Sequence, residues 1–359
     1  MATYKSIRYI VPVEAVEHTD SINALSDVDT NTTAPTDGQI LKWNNTNSKW
    51  YPGDVEEEES SGATQKAIFG FGQGNPSSAA TFTTNVTNLV SSTGVVATDT
   101  TGVGSARKNL AASGYGGDKA IFGFGMTTNI TNLVSNTGVV SSDSSGVGTS
   151  RWGTAAAGYG GDKALFGFGY TSSFQNVSNL VSNTGIVSSD QTGVGFARSG
   201  LAAAGYGSTG QAIFGFGSNI NGTNISNLVS NTGVVASDTT GVGSARDGLA
   251  AAGYGGDKAI FGFGYSASGT MNETNLVSNT GVVASDSTGV GTTRRDLAAA
   301  SYGGDKALFG FGFAEYGFYY EDYARTALVS NTGVVASDDT VGVGMEREGL
   351  AAAGYSTTA

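Results

Sequence analysis

The chain has no cysteine, one histidine and four prolines in 359 residues, and only 13% of its residues are charged. Without cysteine there is neither a disulfide framework nor a thiolate metal site. The single histidine, His18, leaves no Ser-His-Asp set and no histidine-based metal triad to assemble. No run approaches the roughly 20 apolar residues of a membrane-spanning helix. Near the N-terminus, Arg8 and Glu14 interrupt what would have to be an apolar signal core of about 7 to 15 residues, so export by that route is not expected. Basic residues are scarce as well: 18 Lys and Arg stand against 30 Asp and Glu, a net charge of -12. With no basic cluster, neither nucleic acid nor an anionic membrane surface is an expected partner.

Glycine is what the chain has in abundance, 56 residues in all, and it is placed at intervals. The segment KAIFGFG or a near copy occurs six times, with the first Phe of each copy at Phe69, Phe122, Phe166, Phe214, Phe261 and Phe309. Each copy is followed by a variable stretch, NLVSNTGVV, SDTTGVG, an Arg, two free positions and LAAAGY. Self-similarity at a period of roughly 40 to 50 residues marks one supersecondary unit repeated in an array.

Within a unit the glycines punctuate strands. Asn231-Thr232-Gly233 is a short hairpin loop whose Gly can take positive φ, and Gly255-Gly256-Asp257 is a second tight reversal. Four strands result: a (RxxLAAAGY), b (KAIFGFG), c (NLVS) and d (GVVAS). The Ala run 250–252 lasts only about one helical turn between glycines, which favours strand over helix. Small side chains suit an inner strand where sheets converge, and the apolar strand b suits burial on both faces. The repeats begin with strand b at Lys66 and end with strand a at Arg347–Tyr355, so the two orphans complete each other. The expected fold is all-β: a six-bladed β-propeller of four-stranded blades, residues 66–359, closed by its first and last strands. The rival is an open β-solenoid, which needs distinct polar caps that the sequence does not show.

The order Arg, two residues, small apolar strand, Gly-Gly, apolar strand ending in glycines resembles the kelch motif. It occurs at Arg107, Arg151, Arg198, Arg246, Arg294 and Arg347. The resemblance implies the blade architecture only, because this chain departs from the motif. The double glycine after strand b is Gly262-Phe263-Gly264, the Trp of strand d is missing, and Thr154 replaces Leu in the second repeat.

The first 65 residues carry 4 basic and 11 acidic side chains and end in Glu56–Glu59 followed by SSGATQ. Residues 55–65 therefore read as a solvated acidic Ser/Gly linker. Before it, residues 1–54 read as a small β-rich attachment or oligomerisation region. The alternation Ile7, Tyr9, Val11, Val13 gives one strand, and Gln39–Trp43 with Lys49–Tyr51 a hairpin covered by Trp43 and Trp50. The stretch Leu25–Asp54 is similar to a segment of bacteriophage tail-fibre and related virion proteins, where it precedes a variable distal module.

Candidate site residues follow from the repeats. The six arginines named above are expected to pair with a nearby acid or carbonyl and fix the junctions between blades, rather than to form an anion site. Asp99, Asp143, Asp190, Asp238, Asp286 and Asp338 recur with them. Each loop supplies one dependable carboxylate, too few for calcium, so an Asx-turn or a pair with the Arg is expected. Glu315, Glu321 and Asp322 are the only local cluster of acids that glycoside hydrolysis could use. No catalysis, cofactor or metal is expected.

The stretches between strands b and c measure 15, 6, 9, 9, 10 and 14 residues. In an antiparallel blade they leave on the same face as the d-to-a connections, so variation collects on one side of a rigid scaffold. The last, Phe313–Thr326, holds Phe313, Tyr316, Phe318, Tyr319, Tyr320 and Tyr323, and these are the expected binding residues. The sequence thus points to a bacteriophage virion protein, a fibre or spike held by its N-terminal region to other virion proteins. It would recognise a host-surface glycan or protein without catalysis, and it could assemble as a homo-oligomer. A purely structural head fibre, capsid decoration or tail adaptor is the alternative, and a polysaccharide-degrading spike a third.

Overall fold

The computed structural model describes residues 28, 40–44, 46–53, 65–74, 82–126, 128–316, 319–339 and 342–356. The chain divides into two compact units, Met1–Ser61 and Gly62–Ala359. Every regular element among the described residues is a strand. The strand expected around Ile7–Val13, His18 and the linker acids Glu56–Glu59 lie outside the described residues.

In the N-terminal unit, Ile40–Asn44 and Lys49–Gly53 pair antiparallel with Trp43 opposite Trp50. Their rings lie 5.4 Å apart, and Val28 forms a parallel bridge to Trp50. This is the expected hairpin, two residues longer at its end because Pro52 and Gly53 continue the ladder at a sheet edge.

The second unit holds six three-stranded antiparallel sheets with one plan. In the fifth, Ala250–Tyr254 pairs with Lys258–Ser266, which pairs with Gly269–Val277. The first sheet takes its strand a from the far end of the chain: Ala351–Ser356 pairs with Gln65–Gly70, which pairs with Thr87–Val90. Strand b is buried on both faces, with Ala259, Ile260 and Phe261 all without exposure. Neighbouring sheets approach closely because glycine leaves room for a ring. A Cβ built on Gly262 would stand 2.7 Å from the tip of Phe309 in the sixth sheet.

Segment d does not form the expected fourth strand. It meets strand c in isolated bridges, Val229 to Val235 and Ser226 to Thr239 in the fourth sheet, and not in a continuous ladder. The d side has one more residue than the c side between those bridges, a bulge that interrupts the ladder. Strand b is also distorted where FGFG departs from the expected double glycine, and in the third and fifth sheets its register against strand c shifts there. Its second Phe (Phe71, Phe124, Phe168, Phe216, Phe263 and Phe311) has φ between 61° and 65° in every repeat. For a bulky residue this conformation is strained. Burial compensates, since Phe263 is packed between Arg294 and Phe309 of the next sheet.

Each strand a is entered through the two free positions after the Arg. The second of these, in chain order, are Asn109, Gly153, Gly200, Gly248, Asp296 and Gly349. Each donates its backbone N–H to the carbonyl of the one before, at 2.7 to 2.9 Å, and Asn109 donates to Gly349. Further along the chain from these positions, the six strands a line a cavity of about 400 Å³, with small residues such as Ala112, Ala156 and Ala203 on its wall.

Candidate functional site

Two belts of residues border this hydrogen-bonded ring. The outer belt consists of the repeated arginines, all buried to 1% exposure or less. Arg151 is representative. Its Nε donates to the Phe168 carbonyl (2.7 Å), Nη1 to the Thr149 carbonyl (3.0 Å) and Nη2 to Asn179 Oδ1 (2.6 Å). Its guanidinium lies 4.3 Å from the ring centre of Phe124 in the preceding sheet, and Asp190 Oδ1 is 3.7 Å away. Asp190 in turn accepts from the Thr149 hydroxyl and the Asn179 amide. Burial pulls the Arg151 guanidinium down to about 10, with Asp190 opposing the shift. Burial acts to raise the Asp190 carboxyl, but hydrogen bonds from Thr149 and Asn179 and the nearby charge of Arg151 hold it net below the usual carboxylate range.

The sixth sheet breaks the pattern. Where the others have Asn88, Asn132, Asn179, Asn227 and Asn275, it has Ala327. Asp338 closes to 2.8 Å on Arg294, and Arg294 Nε and Nη2 have no hydrogen-bond partner in the protein. The recurring acids are thus all near arginines: Asp99 lies 3.7 Å from Arg347, and Asp143, Asp238 and Asp286 lie 3.3 to 4.0 Å from Arg107, Arg198 and Arg246.

The inner belt is the residue directly after each arginine: Lys108, Trp152, Ser199, Asp247, Arg295 and Glu348. Six otherwise near-identical units present six different side chains here. Short pairings with the residues that follow FGFG hold this belt beside the b-to-c loops. Trp152 bridges Tyr170, Ser199 bridges Ser218, Asp247 bridges Tyr265, Arg295 bridges Phe313 and Glu348 pairs with Gln73.

The belt is polar and interconnected. Arg295 lies between the rings of Tyr265 (4.5 Å) and Phe313 (4.7 Å), and its Nη2 donates to Glu315 Oε1 at 2.7 Å. Gln73 Nε2 donates to Glu348 Oε1 at 3.2 Å, and Lys108 Nζ is 3.9 Å from the same oxygen. On the other side Trp152 packs against Tyr170 (5.3 Å), which packs against Phe174 (4.9 Å).

Beside the belt, the Asp296 side chain keeps 35% of its surface exposed. Desolvation by the surrounding protein pushes its carboxyl up to about 7, Arg295 and Lys108 opposing and Glu348 and Asp247 adding to the shift. Burial likewise raises Asp247 and Glu348. The four charges that act on Asp296 all belong to the inner belt.

The expected aromatic loop takes a different form. Phe313–Tyr316 and Tyr319–Asp322 form a hairpin with Tyr316 opposite Tyr319. Phe313 and Tyr323 are only 6% and 5% exposed, the first against Arg295 and the second with its hydroxyl donating to Glu321 Oε2. Burial removes both from the solvent-facing part of this face. Tyr320 lies in the hairpin, and Phe318 lies outside the described residues. The acids of this loop have separate partners, Glu315 on Arg295 and Glu321 on Tyr323.

Among the described residues no group of three or more His, Cys, Asp or Glu could hold a metal ion. No helix there is long and apolar enough to cross a membrane. No protein-family model matches the chain, and no curated protein matches it. The signal for the inner belt was present in the sequence, in the two positions that vary where everything around them repeats.

Proposed function

We propose that the six sheets form a six-bladed, kelch-like β-propeller that displays a recognition face, and that the chain is a non-catalytic virion fibre or spike protein. Support for the propeller comes from the six hydrogen bonds between successive strand-a entries, the last returning to the first. The pairing of Ala351–Ser356 with Gln65–Gly70 supports it as well. The observation that carries the functional reading is the division of each unit. Turns, strands and arginines repeat, while the b-to-c loops and the residues beside them differ in length and chemistry. A rigid scaffold with variation confined to one face is the arrangement of a binding module. The N-terminal unit, with its likeness to tail-fibre segments, would join other virion proteins. The buried arginines would fix the junctions between blades.

The test uses particles and cells. An antibody against residues 66–359 should label purified phage particles at an appendage, and the isolated full chain should bind host cells and compete with adsorption. A chain starting at Ser60 should keep cell binding and lose incorporation into particles. Absence of label from the particles would remove the virion reading; label on the capsid shell without cell binding would replace recognition by a decorating role.

A further inference from the structure

We infer that the inner belt, with Asp296 beside it, is the recognition site itself, a patch of mixed charge and aromatic surface that takes a neutral oligosaccharide. The inference deepens the recognition reading and rests on it. Six residues about 48 positions apart in sequence reach one centre only because the backbone ring joins their neighbours. A Cβ built on Gly248 would stand 3.4 Å from Arg295 Cβ and 3.1 Å from Asp296 Oδ1, so the lining is contiguous from the fifth sheet to the sixth. Had the belt served packing alone, one residue type would suit all six equivalent positions, as Arg does one position earlier.

The chemistry of the lining selects the ligand. A sugar offers hydroxyls that donate and accept, together with an apolar C–H face. Here Asp247, Asp296 and Glu348 accept, Lys108 and Arg295 donate, and Trp152 provides an aromatic face backed by Tyr170 and Phe174. An anionic sugar or phosphate fits poorly. Asp247, Asp296, Glu315 and Glu348 outnumber the two cations, and both cations already face carboxylates: Arg295 on Glu315, and Lys108 on Glu348. A nucleic acid is disfavoured for the same reason.

The experiment is saturation-transfer NMR on the full chain with neutral di- to hexasaccharides of glucose, galactose, mannose and N-acetylglucosamine, and with a sialylated trisaccharide as the anionic probe. At least one neutral sugar should bind. Trp152→Ala should weaken it tenfold or more, Asp247→Asn should also weaken it, and Trp152→Phe should restore most of the affinity, all with the wild-type Tm. Three results would overturn the inference: preference for the sialylated probe, no binding by any neutral sugar, or binding that folded Trp152→Ala and Asp247→Asn leave unchanged. Cell adsorption separates the two proposals. A chain that binds cells equally well with Trp152→Ala keeps the recognition reading and loses this site; a chain that binds a neutral sugar at the inner belt but no cells does the reverse.

Discussion

The six buried arginines and the six residues that directly follow them form two belts one position apart, and they differ in every property. The outer belt has one residue type, at most 1% exposure, and an aspartate of its own sheet within 4.0 Å of every arginine. The inner belt has six residue types and mixed charge, and all of its members but the buried Ser199 are partly exposed. Adjacent positions thus answer to different constraints. The arginine must satisfy a carbonyl, an amide and a carboxylate of its own sheet while stacking on the ring of another, a demand that admits one side chain. Its neighbour needs only to supply a backbone that enters strand a, so its side chain is left open for chemistry.

Removing Glu346–Ala359 would break both belts at once, since it deletes Arg347, Glu348 and the strand that covers Gln65–Gly70. The expected outcome is aggregation or loss of a cooperative melt, seen by calorimetry. A truncated chain that melts like the whole one would mean that the first sheet does not need this strand. Within the outer belt, Arg198→Met should cost about 3 to 5 kcal/mol in denaturant unfolding. It strands the Phe216 carbonyl and Asn227 Oδ1 in a buried junction.

The fifth and sixth sheets allow a finer comparison. Asn275→Ala imposes the sixth-sheet arrangement on the fifth and should cost about 1 to 3 kcal/mol, because Arg246 Nη2 loses its acceptor. The converse, Ala327→Asn, should stabilise by about 1 kcal/mol by supplying Arg294 with the acceptor it lacks. A drop in Tm instead would show that Asp338, drawn in to 2.8 Å, already fills the space.

The inner belt should respond least. Ser199→Ala is expected to change stability by no more than about 0.5 kcal/mol. Titration of Asp296, beside the belt, gives a further stability signature. The Asp296 carboxyl is raised in the folded chain, to about 7, so folding favours its protonated form. That contribution is complete below the unfolded carboxylate range and is lost as pH rises towards 7. Asp296→Asn should therefore flatten the fall in Tm between pH 5 and pH 8 and raise Tm at pH 8. Asp143, Asp190 and Asp286 act in the opposite sense, their depressed values costing stability as pH falls below the usual carboxylate range. An Asp296→Asn profile identical to wild type would mean that this carboxyl ionises as freely folded as unfolded.

Much of the fold was legible because its determinants are local. Period, glycine turns and apolar runs place strands a, b and c, and the orphan strands at the two ends anticipate the pairing of Tyr355 with Lys66. Segment d was misread. Its alternation looks like a strand, but one extra residue between Val235 and Thr239 opens the ladder and sets Asp238 within 3.9 Å of Arg198. The site was less legible. Aromatic content pointed to Phe313 and Tyr323, which are buried, because composition reports what a loop contains and not which side chains it keeps inside.

By itself the sequence determined that one strand unit recurs six times and where it turns, since glycine and apolar alternation act over a few residues and repeat with the text. It also determined that an arginine recurs at a fixed place. The tertiary structure decided what surrounds that arginine, and it decided that Lys108, Trp152, Ser199, Asp247, Arg295 and Glu348 share a centre. These are relations between residues tens to hundreds of positions apart. Only the packing of one sheet on the next, through Phe on Gly and N–H on carbonyl, brings them together.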